Sequence, residues 1–231
     1  MQKTIFITGA SRSIGLEFTR QYASENYKVI ATCREPDSAT ELQILSDKFI
    51  NIVIEQLDIS DQKSIKIIAE KYHAQPIDML INNAGILSRD QSSIASFDKA
   101  DILKIFDTNF FGTLELTSKL LPSILLSTDK KIITLTTKVA SMGDNRSGKN
   151  YGYRCSKIAL NMAMKNIAIE YRDKGLRVIL LHPGWVQTPM GGPSSLISTE
   201  TSVDGMRQVI SNKIESSLAD FFEFNGKVVP W

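Results

Sequence analysis

Tyr153 and Lys157 stand four residues apart in a stretch with helical apolar spacing, so a phenol and an ammonium share one helix face. A free phenol has a pKa of about 10 and is a slow acid–base catalyst near neutrality. A neighbouring ammonium favours the phenolate and is expected to lower that value. Far upstream, Thr8-Gly9-Ala10-Ser11-Arg12-Ser13-Ile14-Gly15 joins a β-branched apolar run to an amphipathic stretch. Gly9 permits a tight turn and Gly15 a close helix-to-strand approach. The N–H groups of the following helix then face an anion. No Gly-Lys-Ser/Thr follows, which disfavours a nucleoside-triphosphate loop, whereas a glycine turn between a first strand and a first helix is the context of a dinucleotide fingerprint.

An NAD site usually carries a carboxylate about 20 residues further on, at the end of the second strand. Cys33 and Arg34 hold that place here, and Arg12 lies in the turn itself. Two guanidinium groups suit a 2′-phosphate, which arginine binds bidentately, so NADP(H) is favoured over NAD(H). The alternative reading of Arg12 and Arg34 is two solvated surface charges.

These groups need a scaffold, and the apolar periodicity supplies one. Strands are predicted at Lys3–Thr8, Lys28–Cys33, Asn51–Leu57, Ile77–Asn82, Lys131–Thr136, Leu176–Leu181 and Lys227–Pro230. Helical patterns begin near Ser13, Ser38, Asp61, Phe97, Asp107, Tyr153 and Thr201. Alternation of this kind requires parallel pairing, and strands as apolar as Ile77–Ile81 are covered on both faces. The fold class is an α/β, doubly wound Rossmann-type domain: a seven-stranded parallel sheet with helices on both faces, one domain over 1–231. Two segments break the pattern directly after strands, about 137–152 and 187–202. They are expected to lie at the carboxyl edge, where such sheets bind ligands, and to build the substrate pocket.

The chain has 231 residues, with 27 Lys and Arg against 25 Asp and Glu, a net charge of +2. No basic field points to nucleic acid. Two cysteines and two histidines argue against a metal site. No apolar run approaches the ~20 residues of a membrane span, and the amino-terminal strand is too short for a signal peptide, so a cytoplasmic protein is expected. The helix over 153–171 is apolar around a wide arc, through Ala159, Ala163 and Ile167, through Ile158, Met162 and Ile169, and through Leu160, Met164 and Ala168. A helix lying only on a sheet needs a stripe of about 100°. The extra width calls for a second partner, either another copy of the chain or the carboxyl-terminal segment.

Taken in order along the chain, these strings resemble the short-chain dehydrogenase/reductase family. The glycine turn is similar to its T-G-x-x-x-G-x-G motif, with Ser13 at the middle glycine. Asp58-Ile59 follows the third strand, Asn82-Asn83-Ala84-Gly85 the fourth, and Tyr153-Arg154-Cys155-Ser156-Lys157 matches Y-x-x-x-K. The string from His182 to Gly192 resembles the branch of C-factor-like proteins and sniffer-type carbonyl reductases. The resemblance implies hydride transfer between NADP(H) and a small carbonyl or alcohol, with Tyr153 as general acid. Lys157 would bind the nicotinamide ribose, Thr137 would stand in for the family serine and hydrogen-bond the substrate oxygen, and Asn109 would hold a water. Ser141 is the alternative to Thr137. The implied cofactor contacts are Gly9, Ser11, Arg12, Ser13, Ile14, Gly15, Arg34, Asp58, Ile59, Asn83, Ala84, Gly85, Tyr153, Lys157, Pro183, Gly184, Val186 and Thr188. The family often dimerises through the helix over 153–171. C-factor-like relatives also leave open a cofactor-binding signalling protein with weak or no turnover.

Overall fold

The computed structural model describes residues 2–88 and 93–231. Its elements alternate: β1 (Thr4–Ile7), α1 (Ser13–Ser24), β2 (Lys28–Cys33), α2 (Thr40–Lys48), β3 (Ile52–Gln56), α3 (Gln62–Lys71), β4 (Met79–Asn82), α4 (Lys99–Phe106), α5 (Thr113–Leu126), β5 (Lys131–Leu135), α6 (Tyr151–Glu170), β6 (Arg177–His182), α7 (Thr199–Lys213) and β7 (Leu218–Glu223). The seven strands form one sheet in the order β3-β2-β1-β4-β5-β6-β7. All neighbours are parallel. The chain reverses its direction of travel across the sheet between β1 and β4, and ligands of open α/β sheets bind outside the strand ends at such a point.

Period-two alternation assigns each strand residue to a layer. Ile5, Ile7, Val29, Ala31 and Ile81 pack on one face with Phe18 and Tyr22 of α1, Leu42 of α2 and Met206 of α7. Phe6, Ile30, Leu80, Ile132 and Val178 pack on the other with Ile65 of α3, Leu120 of α5 and Leu160 of α6. Full burial of each such side chain stabilises by roughly 1.5–3 kcal/mol relative to exposure. Both faces are therefore apolar, which explains the near-continuous apolar runs of the central strands.

Two elements differ from the sequence reading by more than a residue or two at an end. The seventh strand is Leu218–Glu223, not Lys227–Pro230. Lys227–Pro230 instead turns back through Gly226, at φ +84°, and lies antiparallel beside β7, with the Val229 N–H donating to Phe221 O at 2.8 Å. Second, the helices begun near Phe97 and Asp107 are continuous, because a π-helical turn, Asp107–Gly112, joins α4 to α5. Such turns insert one residue and bend the helix, often where a side chain must be aimed. Here the turn carries Asn109.

Candidate active site

A cavity of about 1250 Å³ runs along the carboxyl ends of the strands. Its floor is the glycine turn. Gly9 takes φ +67°, and a Cβ on Gly15 would stand 2.2 Å from Gly9 O, so only glycine fits there. Asn83 locks the turn by donating from Nδ2 to Thr8 O and Gly9 O, at 2.8 and 3.0 Å. Thr8 returns the contact, accepting at Oγ1 from the N–H groups of Asn83 and Ala84, both at 3.0 Å. The first turn of α1 has no side-chain cap and borders the cavity, so its N–H groups are free for an anion. Ser13 borders it at φ +52°, a left-handed conformation that costs a residue with a Cβ free energy.

Of the sequence-predicted cofactor contacts, Gly9, Ser11, Arg12, Ser13, Ile14, Gly15, Arg34, Asp58, Ile59, Asn83, Ala84, Gly85, Tyr153, Lys157, Pro183 and Thr188 all border this cavity. Gly184 and Val186 do not. Gly184, at φ +87°, is needed for packing, since a Cβ would meet Ile197 Cδ1 at 2.6 Å. Val186 is buried beside Ile197. The exposed Arg12 and Arg34 side chains border the far end, as expected, but Glu35 and Glu41 reach it too. That end is therefore not free of carboxylates. Glu35 and Glu41 are not among the residues expected from the sequence, and neither are Lys104 and Thr108, which arrive from helical segments whose composition gives no sign of facing a ligand. Met190 also borders the cavity, from the 187–202 segment expected to build the substrate pocket.

Tyr153 and Lys157 project from the first turns of α6. Lys157 donates to Leu135 O at 3.0 Å at the end of β5. Burial lowers its pKa to about 8. Burial also raises the Tyr153 phenol to about 12, with a hydrogen bond to Thr137 acting the other way. This reverses the depressed phenol predicted from the sequence: with no other charge acting on the phenol, removal of water dominates. Thr137 accepts from the Val139 N–H at 3.3 Å and reaches Tyr153. Ser141 instead accepts from the Asp144 N–H at 3.1 Å, within its own loop. The geometry thus selects Thr137 as the hydroxyl beside the phenol. Burial likewise pushes His182 down to about 4, leaving it neutral.

Asn109 is buried behind the wall. Its amide donates to Ile86 O at 2.9 Å and Ser156 Oγ at 3.2 Å, and its Oδ1 accepts from the Ile86 N–H at 2.8 Å. Both amide hydrogens are used, so a water could bond only to the remaining lone pair of Oδ1. The approach beside Gly85 is close: a Cβ there would stand 3.2 Å from Asn109 Oδ1 and 3.4 Å from Lys157 Nζ. Among the described residues, no group of three His, Cys, Asp or Glu could hold a metal ion, and no helix is long and apolar enough to cross a membrane.

Three comparisons bear on this geometry. The family model for short chain dehydrogenases matches residues 3–196. The chain is 39% identical over 156 residues to the C-signal of Myxococcus xanthus, covering 68% of this chain and 93% of that protein. An NADPH-bound carbonyl reductase from chicken fatty liver superposes with a TM-score of 0.92 at 35% identity, covering 100% of this chain and 99% of that one. The carbonyl reductase Sniffer of D. melanogaster does so at 0.90 and 28%, with 100% of both chains covered.

Proposed function

The chain belongs to the short chain dehydrogenase family, and on that premise we propose that it is a cytoplasmic NADP(H)-dependent oxidoreductase that reduces a small carbonyl compound. One observation carries the reading: Tyr153, backed by the Thr137 hydroxyl, and the buried Lys157 lie at one end of a single cavity whose other end offers a glycine turn, free helix N–H groups and two guanidiniums. A dinucleotide suits that cradle, because Gly9, Gly15 and Gly85 border it without side chains and the uncapped start of α1 turns its N–H groups to it. When bound, the reduced cofactor supplies a hydride to the carbonyl carbon. Tyr153, protonated at neutral pH, gives its proton to the carbonyl oxygen as negative charge develops there. Thr137 holds that oxygen against the phenol. Lys157, titrating near pH 8 on the same face of α6, returns a proton to Tyr153. Arg12 and Arg34, with Thr40 nearby, would hold the 2′-phosphate.

Calorimetric titration should show NADPH binding at least ~10-fold tighter than NADH, about 1.4 kcal/mol. Equal affinities would remove the role given to the arginines. Steady NADPH oxidation with a panel of aldehydes, ketones and quinones tests the activity. The identity with the C-signal favours one other reading, a cofactor-binding signalling protein. Tight NADPH binding without hydride transfer to any of the panel would select it.

A further inference from the structure

We propose that Arg154 is a positioning residue for the reaction, acting through Val139 to hold the Thr137 hydroxyl against Tyr153. The inference rests on the reductase reading of this site. Arg154 follows Tyr153 on α6, yet its guanidinium reaches back over the loop that leaves β5. Nη1 donates to Val139 O at 2.6 Å and to Asn145 Oδ1 at 3.2 Å, and Nη2 donates to Ser147 Oγ at 2.8 Å. The Val139 N–H is the donor that occupies Thr137 Oγ1. One side chain therefore grips the carbonyl of the residue whose N–H fixes the hydroxyl. With one lone pair taken by that N–H, the Thr137 O–H is left to point at the phenol or the substrate oxygen.

The same clamp holds a strained segment. Gly148, Lys149 and Asn150 take φ +58°, +62° and +51° in succession, immediately before α6 begins. Non-glycine residues in this region persist only where their surroundings over-determine them. Asn145 Oδ1 supplies that constraint by accepting both from Arg154 and from the Gly148 N–H at 2.9 Å. Release of Arg154 frees the Val139 carbonyl and the Asn145 amide together, at the start and the middle of the loop between Thr137 and Tyr153. Burial and Thr137 are what act on the Tyr153 proton, so Arg154 works through position rather than charge. Lysine cannot replace it, because an ammonium lacks the planar fork that spans three acceptors.

Two measurements test this, one independent of turnover. Amide hydrogen exchange over 139–147 should speed at least ~10-fold in Arg154→Lys and in Asn145→Ala relative to the wild-type protein, because loop opening becomes less costly. Unchanged exchange overturns the clamp, whatever the activity of the protein. In single-turnover reduction with saturating NADPH, Arg154→Lys should lose about 10-fold to 10²-fold in rate, the scale expected when a reacting group is displaced by about 1 Å. The NADPH dissociation constant should change by less than about two-fold, and added guanidinium should restore part of the rate of Arg154→Ala. A double-mutant cycle with Thr137→Val decides the route. If Arg154 acts through Thr137, the pair loses no more than Thr137→Val alone. Multiplied losses overturn the proposal. A wild-type protein inactive on every carbonyl, with faster exchange in the variants, refutes the reductase reading and leaves the clamp standing.

Discussion

Burial acts in opposite senses on the two titrating groups at the reacting end of the cavity. It lifts the Tyr153 phenol to about 12 and lowers the Lys157 ammonium to about 8. The phenol is thus a proton donor across the physiological range, and the lysine is the group poised to reload it. Tyr153→Phe keeps the ring and the fold, so single-turnover hydride transfer should fall about 10²- to 10⁴-fold with little change in NADPH affinity. Wild-type rates in that variant would end the assignment. Lys157 also gives a stability signature in the cofactor-free protein. Its folded pKa lies below the ordinary 10.5, so between about 8 and 10.5 the unfolded chain binds more protons. Its contribution is complete above 10.5 and is lost as pH falls through about 8. The stability of wild type relative to Lys157→Met should therefore rise from pH 7 to pH 10 in paired chemical denaturation. Tyr153, raised above its ordinary 10, acts in the other direction only above pH 10. A pH-independent difference between the two proteins would contradict the burial of the ammonium. The Tyr153–Lys157 spacing was legible in the sequence; the direction of the phenol shift was not, because four-residue spacing does not say that water is excluded.

At the scale of elements, the turn between β1 and α1 follows the sequence reading, and it contains one residue at odds with its backbone. Ser13 sits at φ +52° where a glycine would be unstrained. Ser13→Gly should raise stability by about 1 kcal/mol, read as a higher midpoint in denaturant, since a left-handed conformation costs a residue with a Cβ about 1–2 kcal/mol and glycine returns part of this in unfolded-state entropy. A fall in stability would mean the Ser13 side chain contributes more than its strain. Gly15→Ala should do the reverse, because its Cβ has to displace the Gly9 carbonyl and the Asn83 amide, 2.2 and 2.6 Å away. NADPH binding should be lost with it. The misread element was β7. Leu218–Glu223 has no β-branched residue and carries a charge at its centre, whereas Lys227-Val228-Val229-Pro230 reads as a strand by composition. Position in the sheet explains the difference. β7 is the last strand in the sheet order, so Asp220 can face solvent while Ala219 and Phe221 are buried. Its register shifts against β6, between Val178 and Ile179, close to Ala219 at φ +60°. Such an irregularity depends on pairing partners and leaves no periodic trace in the strand itself.

For the molecule as a whole, the sequence announced the carboxyl edge and its glycine-rich turn, because local chemistry marks both. The remainder of the cavity is assembled by long-range packing, and residues such as Lys104 and Thr108 face it only because α4 and the turn that follows it are folded over it. The wide apolar arc of α6 is resolved the same way. Leu160, Met164 and Ala168 are buried on the sheet, and Ala159, Ala163 and Ile167 are half-buried. Met162 and Ile169 remain 61% and 56% exposed, so the carboxyl-terminal segment does not cover the row they share with Ile158. Water contact over those side chains is the free energy a second copy would recover, at roughly 25 cal/mol per Å² of apolar surface removed. A two-fold arrangement sets the same patch against itself and requires no complementary surface elsewhere. The proposed homodimer through α6 is thus expected in sedimentation velocity at micromolar protein. Met162→Lys combined with Ile169→Lys places like charges face to face across that axis, and should give a monomer. NADPH affinity should be retained, since neither side chain borders the cavity. A wild-type protein that sediments as a monomer, or a double variant that remains a dimer, would place the partner of this helix elsewhere.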